Sequence, residues 1–202
     1  MIDMQECRES KDWPVYISSN TFALHYYRQR ISEVAKPNIK RLEDFARKSK
    51  MRIVYTLFSL HIKDGIDSNR QVQEIEGLPR ETTGGSSIPR EINPDSITIE
   101  SKKPKDGDIV IVETSSSAFT DTGLEYFLRN IGIEQLLVVG DVTNICVEDV
   151  VSACVEFGFE VIIIKGACAD RSPQIHKTSL DTFELLFWQC DVHRPSNQND
   201  RG

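Results

Sequence analysis

The chain has 202 residues, a formal net charge of −7 and 39% hydrophobic residues, which suits one large domain with a sizeable core. The acidic balance argues against a nucleic-acid partner, and no apolar run is long enough to span a bilayer. Charged residues from Asp3 onward interrupt any signal-peptide core. Five cysteines without a C-x-x-C pair indicate reduced thiols and no zinc site, so we expect a cytoplasmic protein.

The first half of the chain begins abruptly, with only two residues ahead of Asp3. Two residues are too few for a central strand, so the first strand is either vestigial or incomplete as the chain stands. The spacing of apolar residues predicts an amphipathic helix over 33–50, interrupted near its start by Pro37, and then a strand over 52–57. Residues 58–108 show weak periodicity and many glycines and prolines, which is typical of a functional loop or an interaction arm.

The second half alternates strands and helices. Strands are predicted over 108–112, 136–139 and 161–164, with a short one over 190–192. Helices are predicted after Thr120 or Asp121 and over 178–188. This alternation predicts βαβ units and a mostly parallel sheet in one α/β domain of residues 1–194, followed by a polar tail of residues 195–202.

Cys146 occupies the most informative position in the chain. It follows an apolar strand that ends at Gly140, and it falls in the first turn of the next predicted helix. Free backbone N–H groups and the helix dipole favour a thiolate there and can hold an oxyanion. A buried apolar cysteine is the alternative, because free cysteines are among the most buried residues. The position beyond the carboxyl end of a parallel strand favours function.

Two acids are predicted at other strand ends on the same edge of the sheet, Asp3 and Glu113. Asp3 could instead cap a turn, and Glu113 could be a solvated charge. No G-x-G-x-x-G follows the first strand and no Walker motif occurs, so a nucleotide cofactor is not expected. An acid near a cysteine predicts nucleophilic catalysis by Cys146, with Asp3 accepting the thiol proton and returning it later.

Several ordered motifs resemble those of the isochorismatase-like cysteine hydrolases, a superfamily that includes nicotinamidases and ureido amidohydrolases. They are IDMQ at 2–5, SAF at 117–119, TGLEYFLR at 122–129, GI at 132–133, GDVTNICVE at 140–148, ACVEFGFEV at 153–161 and HKTSL at 176–180. The resemblance implies a Rossmann-like three-layer αβα fold with a six-stranded, mostly parallel sheet.

The resemblance also implies an Asp-Lys-Cys triad, with the Asp at Asp3 and the nucleophile at Cys146. It further implies a non-proline cis peptide at Val142–Thr143. Substrate would then bind against Val142 and Thr143, with the backbone N–H groups of Thr143 and Cys146 forming the oxyanion hole.

The third triad position departs from the family pattern. The family's Lys lies four residues before the Ser of SAF, where this chain has Glu113, and Lys102, Lys103 and Lys105 lie too far back to replace it. A Glu disfavours the neighbouring thiolate, and with Asp3 it would form a carboxylate pair that shares a proton. Either the protonated carboxyl donates to substrate in an altered chemistry, or hydrolysis is lost and the fold serves binding or assembly.

No metal site is expected. His61 and Asp64 lack the Asp-x-His spacing of metal-binding relatives and suit a solvated loop pair, while His176 suits a helix start. Phe119 and Leu57 are candidates for lining the substrate pocket, although apolar residues near strand ends are often core.

The leading hypothesis is hydrolysis of a small amide or ureido C–N bond, so the expected partner is a small-molecule substrate. A catalytically silent scaffold or binding protein is the competing hypothesis. Relatives are commonly oligomeric, so we expect a homo-oligomer in either case.

Overall fold

The computed structural model describes residues 1–4, 21–59, 70, 104–186 and 188–190. Almost all of the predicted loop over 58–108 lies outside the described residues, with His61 and Asp64, and so does the predicted tail. Within the described part, strands and helices alternate from residue 109 onward. The helices are α1 (Thr21–Gln29), α2 (Lys36–Lys48), α3 (Leu124–Asn130), α4 (Glu148–Glu156) and α5 (Pro173–Leu186), and the strands are β1 (Val54–Phe58), β2 (Ile109–Glu113), β3 (Gln135–Asp141), β4 (Glu160–Ala169) and β5 (Trp188–Cys190).

The strand pairs in the part of the chain that the structure describes are all parallel, as the alternation of elements predicts. β1 pairs with β2, and β4 pairs with β3 on one side and β5 on the other. The first residues lie between β1 and β3: Met1 exchanges hydrogen bonds with Val54 and Thr56, and Ile2 does so with Val139 and Asp141. The α/β class agrees with the prediction, whereas the described residues form five strands and one isolated bridge at Ile2, so the six-stranded count stays a prediction.

Apolar clusters cover both faces of the sheet, because successive strand residues point to opposite sides. Val138 and Ile163 pack in a cluster with α3, α4 and α5, while Val139 and Ile164 pack in another with α1 and α2. We call these the first face and the second face. The side of the sheet on which a residue lies can therefore be read from the cluster that it joins.

The helices differ from the predicted bounds at three places. The first helical segment begins at Thr21 rather than near residue 33, and a wide turn (Arg30–Ala35) joins α1 to α2, where the N–H of Lys36 bonds to the carbonyl of Ile31. Pro37 follows this turn, and its missing N–H explains why the regular bonding pattern is interrupted there. The helix predicted after Thr120 or Asp121 begins later, at Leu124, and α5 begins five residues before the predicted residue 178.

An apolar cavity of about 340 Å³ lies between β1 and β3, beyond Met1 toward the amino ends of the strands. Side chains of the first face and the second face both line it, so it passes through the plane of the sheet. Neither the predicted acids nor Cys146 is among the described residues that line it. None of the described helices is long and apolar enough to cross a membrane.

Gly140 provides the first test of the fold, because it is the point where the first residues meet β3. Its φ is +136°, and a Cβ there would stand 2.1 Å from the carbonyl oxygen of Ile2. We expect Gly140→Ala to lower the free energy of unfolding by about 3 kcal/mol or more, from backbone strain together with overpacking.

Gly132→Ala is the matched control, since Gly132 has a φ of +72° and open space around the added Cβ. It should cost only about 1 kcal/mol, the strain of the left-handed conformation. Urea denaturation of both variants measures the difference, and equal losses would show that the contact between Ile2 and Gly140 does not hold the sheet together.

Candidate active site

Asp3 is fully buried and sits directly beyond the short pairing of Met1 and Ile2 with their neighbours. Its backbone N–H donates to the hydroxyl of Thr56 at 3.2 Å, and that hydroxyl donates back to the Asp3 carboxylate at 3.0 Å. Its φ is +48°, a left-handed conformation that Asp tolerates better than most residues. These contacts fix the orientation of the Asp3 carboxylate, as expected of a group that has to accept a proton from a neighbouring residue.

Glu113 is the last residue of β2 and is 1% exposed, so it is not the solvated charge that was one of the two predicted alternatives. Its carbonyl accepts the N–H of Ser59, which continues the pairing of β1 with β2 past Phe58. The carboxyl group is therefore held inside the protein at the end of a strand that pairs regularly with β1. A buried acid is costly unless its surroundings compensate it, which marks this position as unusual.

Cys146 lies in a wide helical turn, Thr143–Val147, that leads from β3 into α4. Its side chain is 7% exposed and packs in the first-face cluster together with Ile2 and Ala118. The placement beyond β3 and at the start of a helical segment agrees with the position expected from the sequence. The near-complete burial also fits the alternative of an apolar core cysteine, so burial by itself does not decide between the two.

The cis peptide bond is found one residue earlier than expected. It joins Asp141 and Val142, so the expectation of a cis bond at Val142–Thr143 is wrong. The carbonyl of Val142 already accepts the N–H groups of Ile145 and Val147, so the following peptide belongs to the helical turn.

A clamp that the sequence analysis missed holds this turn against the end of β4. The hydroxyl of Thr143 donates to the carbonyl of Ala169 at 2.8 Å and lies 2.9 Å from Nδ1 of His176. A hydroxyl has one proton to donate, so Nδ1 of His176 must be the donor in the second contact. The carboxylate of Asp170 accepts the N–H of Asn144 at 3.0 Å and so fixes the next residue of the same turn.

The clamp residues are themselves buried and electrostatically perturbed. Burial lowers the pKa of His176 to about 4, with a further contribution from the charge of Arg30, so the ring is neutral at physiological pH. Burial raises the pKa of Asp170, against the opposing effect of the N–H groups that bond to it. The rule that functional groups gather at strand ends could have found Asp170, because it directly follows β4, whereas nothing local in the sequence pairs His176 with Thr143.

Asp3, Glu113 and Cys146 all lie toward the first face of the sheet. Cys146 belongs to that cluster, and Ile111, two residues before Glu113, packs against it. Val54 packs there as well, so Thr56, two residues further along β1, points the same way and carries the Asp3 carboxylate with it. The structure therefore brings the three predicted catalytic residues to the same edge and the same face of the sheet.

The predicted pocket residues are less well grouped. Val142 and Thr143 are buried in the segment that leads to Cys146. Phe119 packs against the first face, stacks near Phe157 at 5.4 Å between ring centroids, and lines the cavity between β1 and β3. Leu57 packs with Tyr55 on the other side of β1, so the structure does not bring it to Cys146.

Two further cysteines provide a contrast with Cys146. Cys154 and Cys168 are both free and fully buried, and burial raises the pKa of each thiol to about 12. Neither thiol can supply a thiolate at neutral pH. No cluster of three or more metal-ligating side chains occurs among the residues that the structure describes.

A family model for the isochorismatase domain matches residues 1–192 of this chain. Among curated proteins, the N-carbamoylsarcosine amidase of Arthrobacter sp. is 30% identical over 77% of this chain and 57% of its own length. The ureidoacrylate amidohydrolase RutB of Yersinia enterocolitica is 32% identical over 48% of this chain and 44% of its own length. The chain thus spans about half the length of the curated relatives it matches.

Solved structures show the same fold at lower sequence identity. An isochorismatase family protein from Desulfovibrio vulgaris aligns with a TM-score of 0.73 at 22% identity, covering 95% of this chain and 92% of that one. A pyrazinamidase/nicotinamidase from Streptococcus mutans aligns with a TM-score of 0.67 at 18% identity, covering 94% and 97%. With a family model matched along nearly its whole length, the chain belongs to the isochorismatase family.

Proposed function

We propose that this protein hydrolyses a C–N bond of a small amide or ureido compound, with Cys146 as the nucleophile. The observation that carries the proposal is the convergence of Cys146 and the buried Asp3 carboxylate at one edge and one face of the sheet. Relatives named as amidases and amidohydrolases act on the same class of bond.

The proposed reaction has two halves. The Cys146 sulfur attacks the substrate carbonyl while Asp3 takes the thiol proton, and the carbonyl oxygen becomes an oxyanion held by the N–H groups of Thr143 and Cys146. Asp3 returns the proton to the departing nitrogen, so the C–N bond breaks and a thioester remains. Water then attacks the thioester carbonyl while one of its protons passes to Asp3, the C–S bond breaks, and Asp3 returns that proton to the Cys146 sulfur as the acid product leaves.

The clamp on Thr143 serves the oxyanion hole in this scheme. Stabilisation of an oxyanion depends on donors that are already oriented before the charge develops. Thr143 is fixed by Ala169 and His176, and Asn144 by Asp170. The turn that carries the proposed donors is thus held in place by hydrogen bonds to α5 and to the end of β4, in addition to the bonds within the turn.

Glu113 decides how the reaction departs from that of the family. It takes the position at which the resemblance implies a Lys, so it replaces a positive charge by a buried acid. A carboxylate there opposes thiolate formation, while a protonated carboxyl could donate a hydrogen bond to the substrate. The burial of Glu113 favours the neutral form of its carboxyl group. This supports the altered chemistry, in which the protonated carboxyl donates a hydrogen bond to the substrate.

A silent homologue that acts in binding or assembly is the second candidate, and the same residue supports it. A family member without the cation that assists its cysteine could retain the fold while losing turnover. The experiment that separates the two candidates is a screen of small amides and N-carbamoyl amines, read by product release and by intact-mass detection of an acyl adduct on the protein. An adduct that maps to Cys146 and is absent from Cys146→Ser supports the enzyme.

Thiol reactivity gives a prediction that does not require a substrate. We expect iodoacetamide to modify Cys146 faster than Cys154, because Cys154 is fully buried with a raised pKa while Cys146 keeps some exposure. Reaction at Cys146 should be slow below pH 8, since Glu113 supplies no cation to stabilise the thiolate and repels it when ionised. Peptide-resolved mass spectrometry across pH measures this, and full reactivity of Cys146 at pH 6 would contradict the role given to Glu113.

A charge restoration tests the role of Glu113 directly. Glu113→Lys should raise activity on a simple amide or N-carbamoyl amine by about 10²–10⁴-fold, because an ammonium favours the thiolate and removes repulsion from Asp3. Glu113→Gln is the matched control, since it removes the acid without adding a cation, and it should gain much less. If the original protein turns over substrate faster than both variants, Glu113 is itself catalytic and the altered chemistry is correct.

Assembly is open to a separate measurement. We predict a homo-oligomer, and light scattering at micromolar concentration should give a mass at least twice the 23.0 kDa of one chain. A 23.0 kDa particle across the concentration range would exclude the scaffold candidate in its oligomeric form.

A further inference from the structure

Strand β4 is irregular just before it reaches the candidate active site. Between Ile163 and Cys168 it advances five residues, while its neighbour β3 advances only two, from Val138 to Gly140. The extra residues, 164–167, form what we call the β4 bulge, and a bulge leaves backbone groups without partners on the neighbouring strand. The carbonyl groups of the bulge need other donors, because unpaired backbone groups inside a protein are costly.

Two side chains, one from α2 and one from the wide turn before it, supply these donors. The guanidinium of Arg30 donates through Nη2 to the carbonyl of Lys165 at 3.1 Å and through Nε to the carbonyl of Cys168 at 3.2 Å. The side-chain amide of Asn38 donates to the carbonyl of Gly166 at 2.8 Å. The planar guanidinium thus joins the bulge to the strand residue that follows it.

The clamp on the turn before α4 begins directly after this bulge. The carbonyl of Ala169 accepts the hydroxyl of Thr143, and the carboxylate of Asp170 accepts the N–H of Asn144. Both acceptors lie within two residues of Cys168, whose carbonyl receives the second guanidinium bond. A displacement of the bulge would therefore move the acceptors that fix the turn.

The charge of Arg30 also acts on the second support of this clamp. Burial, followed by the positive charge of Arg30, lowers the pKa of His176 to about 4. Coulomb interactions weaken with distance, so this influence requires the guanidinium to lie near the ring. Arg30 is thus close to both supports of Thr143, the end of β4 and the His176 ring.

We propose that Arg30 is a positioning residue for the candidate active site, which holds the β4 bulge in one conformation and thereby fixes the turn that carries the proposed oxyanion donors. Its effect on turnover rests on the proposed hydrolysis, whereas its effect on the turn concerns the structure alone. Bulges commonly redirect the backbone beside active sites. Arginine suits this position because one planar group binds two carbonyls, whereas the ammonium of a lysine has no fork to span them.

The test compares Arg30→Met, which removes both bonds, with Arg30→Lys, which keeps the charge but not the fork. We measure amide hydrogen exchange of Asn144 by NMR, relative to that of Phe127 in α3. This ratio should rise at least about tenfold in Arg30→Met and about threefold in Arg30→Lys, because the turn opens locally more often. On a hydrolysed amide, kcat should fall about 10–100-fold in Arg30→Met with KM changed less than about twofold, since the oxyanion forms only in the reaction.

Ile39→Ala is the matched control, because Ile39 is buried in the second-face cluster and its side chain donates no bond to the bulge. It should destabilise the protein and change the exchange of Asn144 and Phe127 by the same factor. An unchanged exchange ratio in Arg30→Met would overturn the proposal, and so would an equal rise of the ratio in Ile39→Ala. If Arg30→Met fails to fold, the ratio in Arg30→Lys decides in the same way.

The two readouts separate this proposal from the proposed hydrolysis. If no small amide is hydrolysed and the exchange ratio still rises, the role of Arg30 in the turn is supported while the proposed hydrolysis fails. If an amide is hydrolysed with the same kcat in Arg30→Met as in the original protein, the positioning role is overturned while the proposed hydrolysis stands.

Discussion

The contact of Ile2 with Gly140 is the constraint on which the rest of the structure depends. β1 and β2 form one pair and β3, β4 and β5 another group, and Met1 and Ile2 connect the two by backbone hydrogen bonds. The connection requires glycine, since a Cβ at position 140 would stand 2.1 Å from the Ile2 carbonyl oxygen. Through it, a stretch of three residues sets both the continuity of the sheet and the place of Asp3.

The candidate site is dominated by buried acids, which is an unusual setting for a cysteine nucleophile. Asp3, Glu113, Asp141 and Asp170 are all almost completely buried. The structure gives three of them neutral donors: the Thr56 hydroxyl for Asp3, the Tyr27 hydroxyl for Asp141, and backbone N–H groups for Asp170. Neutral donors stabilise a carboxylate without assisting a thiolate, whereas a cation does both. In the proposed mechanism, Glu113 in place of the Lys that the resemblance implies therefore removes a cation that would assist the Cys146 thiolate.

Local signals were sufficient for much of the fold and part of the site. The apolar strand before Gly140 and the helical spacing after it predicted the position of Cys146, and strand ends predicted Asp3 and Glu113. Features that depend on distant residues were not predictable in the same way. The bond between Thr143 and His176 spans 33 positions, and the early start of α5 at Pro173 has no apolar periodicity to signal it. The cis bond was expected one residue late because it was placed by resemblance to a family and not from the hydrogen bonds of this chain.

The separation of the cavity from the candidate site follows from the geometry of a parallel sheet. Strands that pair in parallel bring their carboxyl ends to one edge, where Asp3, Glu113 and Cys146 lie, and their amino ends to the other, where the cavity opens beside Gln135 and Arg52. Met1 and Ile2 lie between the two regions and belong to both. Thr56 joins the two regions, because it bonds to Met1 and to both the N–H and the carboxylate of Asp3 and also borders the cavity. Packing at the amino end of the sheet and the proposed proton transfer at its carboxyl end are thus linked through the first three residues of the chain.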